Sequence, residues 1–414
     1  MPNRNTRRFD LSDRLIHFFR ALDLDHGPGF TTPETWGPGD LAEDTKFSPF
    51  FLLRNAVRCE RLWATWSVRN ERRTIYGPDP AVCFTDMPLA AFIEAGETRS
   101  ARGEAMSAYG LLLPKTAVHG LGARSVIYGL STLPLIPKGD DGGPRIIPTD
   151  ALPLAEQYRY VTQSAAVDWT HEREWRWPCR GEDGPNNEGP PEDGRDMAGL
   201  SLADPALTGL GVVVKSESQA EHIIHDVLTL SDRRNLSYPR YDFVIVREKL
   251  VDIAKLRDPA MVEKAVSNAT FSLDSYYPQK HSAVQKLVDG FSSAAKRVEA
   301  KTRPPEYGER GGCWLWLTDA RHPLTRALVV AKRAVVNKDG RYLVNLPEFD
   351  DGRHLGQREK MAKRLAERLW QGQECPATYH SVLGKDDHDG VPHCSDPPLD
   401  NTFIFNRANE KDDY

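Results

Sequence analysis

The sequence is notable first for what it does not contain. Its six cysteines, at 59, 83, 179, 313, 375 and 394, include no CxxC pair. Their scatter argues against a disulfide framework and reads as reduced thiols. No apolar run approaches the length of a membrane span. The basic opening MPNRNTRRFD lacks the apolar stretch of a signal peptide. The expectation is a cytoplasmic chain with no membrane partner. An excess of positive charge is also missing: 54 Lys and Arg stand against 59 Asp and Glu, with pI near 6.2. That balance gives no overall footprint for nucleic acid, although a local groove can still be basic. No internal repeat of useful period occurs.

What is present is an ordinary globular composition, 40% apolar and 27% charged over 414 residues. That length suggests two or three domains. Strand patterns occur at LIHFF, AVCFTDMPL (ended by Pro88), EAMSAYGLLLPKTAV and GARSVIYGL. FFLLRNAVRCERLW is spaced as an amphipathic helix. GDDGGPR and the Gly/Pro-rich run at 180–196 read as loops. LGVVVK, a helix capped by Ser216 or Ser218, and YDFVIVR form a βαβ-like unit without a glycine-rich phosphate loop. A helix over SAVQKLVDGFSSAAKRVEAKT follows. Strands CWLWLTD, RALVVAKRAVVN and GRYLVNL come next, with KDG as a hairpin turn. The helix GQREKMAKRLAERLWQG carries Met361, Leu365 and Leu369 on one stripe, and a loop-rich tail ends the chain. These patterns predict an α+β protein. Residues 1–256 would form a mixed-sheet domain with the βαβ-like extension, 257–309 a helical connector and 310–414 a smaller α+β domain.

The most unusual stretch is DWTHEREWRWP at 168–178. Read as a strand, it puts Asp168, Thr170, Glu172, Glu174 and Arg176 on one face and Trp169, Trp175 and Trp177 on the other. Two carboxylates two strand residues apart, roughly 7 Å, can divide labour in glycosyl chemistry. One stabilises a developing sugar cation and the other orients a nucleophile. The plainer alternative is a solvated face whose glutamates pair with Arg173 or Arg176. HERE is not a HExxH metalloprotease motif, because Trp175 stands where the second histidine belongs. Three further residues sit where a ligand is commonly met: His17 in an apolar strand, Thr85 at a strand exit beside Asp86, and Tyr109 before Gly110. Each is also compatible with a satisfied core position.

Taken in order, LIHFF, CFTDMPL, YGLLLPK and EREWR resemble a group of bacterial proteins associated with abortive infection by phage, and are similar to ADP-ribosyltransferase folds. The resemblance spans roughly residues 9–180. It implies that His17 contacts the ribose or nicotinamide side of NAD and that Thr85 or Tyr109 lines the nicotinamide pocket. It further implies Glu174 as the catalytic carboxylate with Glu172 as its partner. The implied activity consumes NAD and passes ADP-ribose to water or to a macromolecular acceptor, protein or nucleic acid. The Ser-Thr-Ser triplet of such enzymes, and the Gly-Thr that often follows the histidine, are missing. No metal is expected.

Rival readings remain. His380, His388, His393 and Cys394 lie close in the tail with Asp386 and Asp387, residue types that ligate transition metals, though at no standard spacing. A metal-dependent nuclease is therefore one alternative. Another is an inactive sensing protein that recognises nucleic acid or protein through its C-terminal domain and the basic helix at 353–368.

Overall fold

The computed structural model describes residues 12–23, 33, 46–69, 72–102, 104, 106–130, 145–163, 168–181, 194–236, 240–250, 258–277 and 280–395. The fold is mixed α+β. Residues 12–220 and 240–272 form one compact unit, and 221–236 and 273–395 another.

The first unit is built on an eight-stranded sheet: β1 Arg14–Phe18, β2 Ala81–Thr85, β3 Gly110–Pro114, β4 Arg124–Ser125, β5 Glu174–Pro178, β6 Leu210–Val214, β7 Tyr241–Val246 and β8 Thr270–Ser272. Their order across the sheet is β8-β7-β6-β3-β1-β2-β5-β4. The pairings are antiparallel except β6 with β7, which run parallel through the crossover helix Glu217–Arg233. All five residues of β6, LGVVV, are buried, as a parallel strand covered on both faces requires. Gly211 leaves room there for the Phe243 ring, which would have to shift to admit a Cβ.

Helix Pro49–Cys59 starts where Ser48 accepts the amide of Phe51 at 3.0 Å and Pro49 supplies a preset φ. Helix Leu89–Ser100 packs Phe92 and Ile93 onto Ile16, Leu112, Val213 and Ile245, the centre of the sheet. That core holds β1 and β3 in register over five residue pairs, His17 opposite Leu111 among them. Between β1 and β2 the ladder is much shorter and meets at Ile16 and Thr85.

The second unit has a five-stranded sheet. Its strands are β9 Gly311–Leu317, β10 Ala334–Val336, β11 Tyr342–Val344, β12 Ala377–Leu383 and β13 Cys394–Ser395, in the order β10-β11-β9-β12-β13. Helices His281–Ala300 and Leu355–Gln373 belong to it, the latter burying Met361, Leu365 and Leu369 as its stripe predicts. At its centre Arg326 and Asp232 form a buried two-pronged ion pair at 2.5 and 2.9 Å, and Tyr342 donates its hydroxyl to the same carboxylate at 2.7 Å.

Several local expectations are corrected. RALVVAKRAVVN is a helix, Pro323–Val330, followed by β10, because Pro323 at the first helical turn and the His322 cap favour helix over strand. The tail holds the seven-residue strand β12, which pairs along the whole of β9. KTAV leaves the strand after Pro114 and turns into the short helix Lys115–Gly120. Helix Leu89–Ser100 has no strong apolar stripe to announce it. Of the loop at 180–196, residues 182–193 lie outside the described residues. Among the described residues no helix is long and apolar enough to cross a membrane.

Removing one partner of the buried pair leaves a charge without compensation. Arg326→Ala is expected to cost about 3–5 kcal/mol of stability, read as a lower urea midpoint for the full chain.

Candidate functional site

The expected strand over 168–178 begins at Glu174. Before it, Asp168 accepts both the amide (2.8 Å) and the hydroxyl (2.6 Å) of Thr170. This local capture bends the backbone into a 3-10 turn, Thr170–Glu172, and Arg173 then takes a left-handed conformation at φ 48°. Glu172 and Glu174 therefore do not alternate along one strand. They reach the same cleft by different routes, Glu172 from the turn and Glu174 from the first position of β5.

The end of β2 fastens the turn. Thr85 donates its hydroxyl to the Glu172 carbonyl at 2.7 Å, and the Asp86 amide donates to the Arg173 carbonyl at 3.0 Å. The Asp86 carboxylate pairs with Lys115 at 2.5 Å and lies 3.8 Å from Arg173. Glu172 is ion-paired with Arg99, which also holds Glu104 at 2.6 Å. On the reverse of β5, Trp175 carries Lys115 over its ring at 5.0 Å, and Trp177 donates its indole N–H to the Leu121 carbonyl at 2.9 Å. Both tryptophans thus pack against the Lys115–Gly120 helix and its exit.

The cleft encloses about 460 Å³ and is lined by His17, Thr85, Glu172 and Glu174 together with Trp169 and Arg176. It opens beside the short β1–β2 ladder. His17 bridges that gap by donating Nδ1–H to the Cys83 carbonyl at 2.8 Å. Because a carbonyl only accepts, the neutral ring keeps its lone pair on Nε2. Edge contacts from Phe19 (4.8 Å) and Phe84 (5.9 Å) fix the ring plane. Burial pushes the imidazole pKa down to about 4, against the opposing pull of the Cys83 carbonyl.

Arg176 was legible only as a possible neighbour of Glu174; its role in the site comes from its burial. Its Nε and Nη2 meet the two Glu174 oxygens at 2.7 and 3.3 Å, and its Nη1 donates to the Tyr158 carbonyl at 2.7 Å and the Tyr160 carbonyl at 3.4 Å. Burial opposes its charge, but its interactions with Glu174 and Cys83 together outweigh this and the guanidinium pKa is raised. Arg99 and Arg145 also line the cleft. They come from 73 residues before Glu172 and from an isolated bridge beside Tyr76, so no local motif connects them to the site.

Tyr109 is placed elsewhere. It is buried against Phe50 at 6.0 Å, and its hydroxyl accepts from Gln219 at 3.1 Å. The Thr85 hydroxyl is turned to the Glu172 carbonyl, so Thr85 acts on the turn that carries Glu172. In the tail, His380 is fully buried in β12, whereas His388 is half-buried and His393 exposed. Among the described residues no three His, Cys, Asp or Glu side chains gather as a metal site.

A family model described as "Protein of unknown function (DUF4427)" matches residues 280–407. No curated protein and no solved structure matches the chain.

The low pKa of His17 has a consequence for stability. Between about pH 6.5 and 4 the unfolded chain binds a proton that the folded chain refuses, so stability falls as pH drops through this window. His380, held at about 4 by burial and Arg341, adds to the same slope. The urea midpoint is expected to fall from pH 6.5 to pH 4, and less steeply in His17→Asn. Nitrogen NMR at pH 6.5 is expected to show His17 as the neutral Nδ1–H tautomer.

Proposed function

We propose that the first unit is an ADP-ribosyltransferase-like, NAD-consuming domain that passes ADP-ribose to water or a macromolecular acceptor, in the setting of phage defence that the motif order implies. The observation that carries this reading is the pairing, in one cleft, of a carboxylate held by a buried guanidinium with a neutral histidine that offers only a lone pair.

Glycosidic cleavage of NAD breaks the bond between ribose C1′ and the nicotinamide nitrogen, and nicotinamide leaves as a neutral molecule. Positive charge then builds on the ribose ring. Glu174 stabilises that charge and accepts a hydrogen bond from a ribose hydroxyl. Its orientation is set in advance by Arg176, so little reorganisation is needed as the charge develops. Nε2 of His17 accepts from a second hydroxyl or from the carboxamide N–H₂. Glu172 stands beside Glu174 to orient the attacking group and take its proton, on release from Arg99. Trp169 and Phe19 supply apolar walls for the nicotinamide ring.

A second reading draws on the same ion pair. Both oxygens of Glu174 are engaged by Arg176, and a carboxylate so neutralised supports binding without turnover.

One experiment separates the two. Purified protein is incubated with NAD, with and without cell extract as acceptor source, and nicotinamide release and NAD binding are measured. Release that falls at least 100-fold in Glu174→Gln, with NAD affinity kept within a few-fold, is the expected result. Binding without release supports the second reading. Absence of both returns the two glutamates to a structural role.

A further inference from the structure

Helix Leu355–Gln373 in the second unit presents an outer face whose charge its inner contacts do not use. Of its two glutamates, Glu359 turns inward and accepts the Ser381 hydroxyl at 2.6 Å. Arg358 also turns inward, donating to the Gly311 carbonyl at 2.9 Å. The outer face keeps Lys360, Lys363, Arg364 and Arg368 against the single acid Glu367. Lys360, Arg364 and Arg368 recur at every fourth residue and so form one stripe, about 12 Å long at 1.5 Å per residue. Among the described residues no ion pair holds any of these three. On the neighbouring row of the helix, three residues after Glu367 and seven after Lys363, stands Trp370, 58% exposed.

The surrounding charge has the same sign. Residues 221–236 and 273–395 hold 22 Lys and Arg against 19 Asp and Glu, in a chain that is negative as a whole. From this stripe and the exposed aromatic on the row beside it we infer that the second unit binds single-stranded nucleic acid. The three cations would track the phosphates and Trp370 would stack on a base. A lipid surface fits less well, because the helix has already spent its apolar face, Leu355, Met361, Ala362, Leu365, Ala366 and Leu369, on the protein core. This inference is independent of NAD chemistry in the first unit.

The test uses the full chain, a fluorescein-labelled 20-nucleotide oligouridylate and vesicles rich in phosphatidylserine. Binding to the RNA is expected to weaken as salt rises. In the surface variant Lys360→Glu/Arg364→Glu/Arg368→Glu it is expected to drop roughly tenfold or more, with the salt slope reduced by about 2, the share of three phosphates. Trp370→Ala alone is expected to weaken binding roughly five-fold or more with the salt slope unchanged. Circular dichroism of each variant, unchanged from wild type, shows that the fold is intact. No RNA binding by the wild type overturns the inference. So does equal binding by the triple variant, or binding to the vesicles in preference to the RNA.

Discussion

The cleft depends on one buried guanidinium. Arg176 sits on a central stretch of β5 with 4% of its surface exposed, where a bare charge would be costly. Its cost is offset by three acceptors: the Glu174 carboxylate and the carbonyls of Tyr158 and Tyr160. Those bonds tie β5 to the Tyr160–Gln163 segment and set the plane of the Glu174 carboxylate at once. The side chain that makes the wall of the cleft stable is therefore the one that orients the Glu174 carboxylate.

A second constraint acts just upstream. Arg173 has a left-handed backbone, which a non-glycine residue adopts only where its surroundings hold it. Here the hold comes from Thr85 and Asp86 at the end of β2 and from Asp168 at the start of the turn. The bend separates Glu172 from the strand and hands it to Arg99. Two carboxylates two residues apart in sequence thus acquire different partners, and with them different electrostatic surroundings.

The second unit uses ionic groups in another way. Arg326, Asp232 and Tyr342 are closed off from water and bond to one another, with only the Arg326 Nε left without a partner, so they serve packing. Lys360, Arg364 and Arg368 of helix Leu355–Gln373 lie on its outer face, where none is held by an ion pair among the described residues. Burial alone separates these two uses of arginine, since the residue types do not.

Much of the architecture was legible because it is periodic. Apolar spacing marked helices Pro49–Cys59, His281–Ala300 and Leu355–Gln373, and the valine-rich runs marked β6 and β7 about their crossover helix. Those signals are local, and burial of one face follows directly from them. The site was legible only in its residue types. His17, Glu172 and Glu174 were named from short motifs and do share a cleft, but Tyr109 was drawn into the core by Phe50 and Gln219. The strand expected over 168–178 failed at a side-chain capture, Asp168 on Thr170, which outweighs alternation over so few residues. Arg99 and Arg145 reach the cleft from distant parts of the chain, and Arg176 takes its meaning from the carbonyls beside it. Charge pairing across long sequence separations leaves no periodic trace, so the sequence by itself determined the elements and the candidate carboxylates, and only the tertiary structure decided what holds them and which way they point.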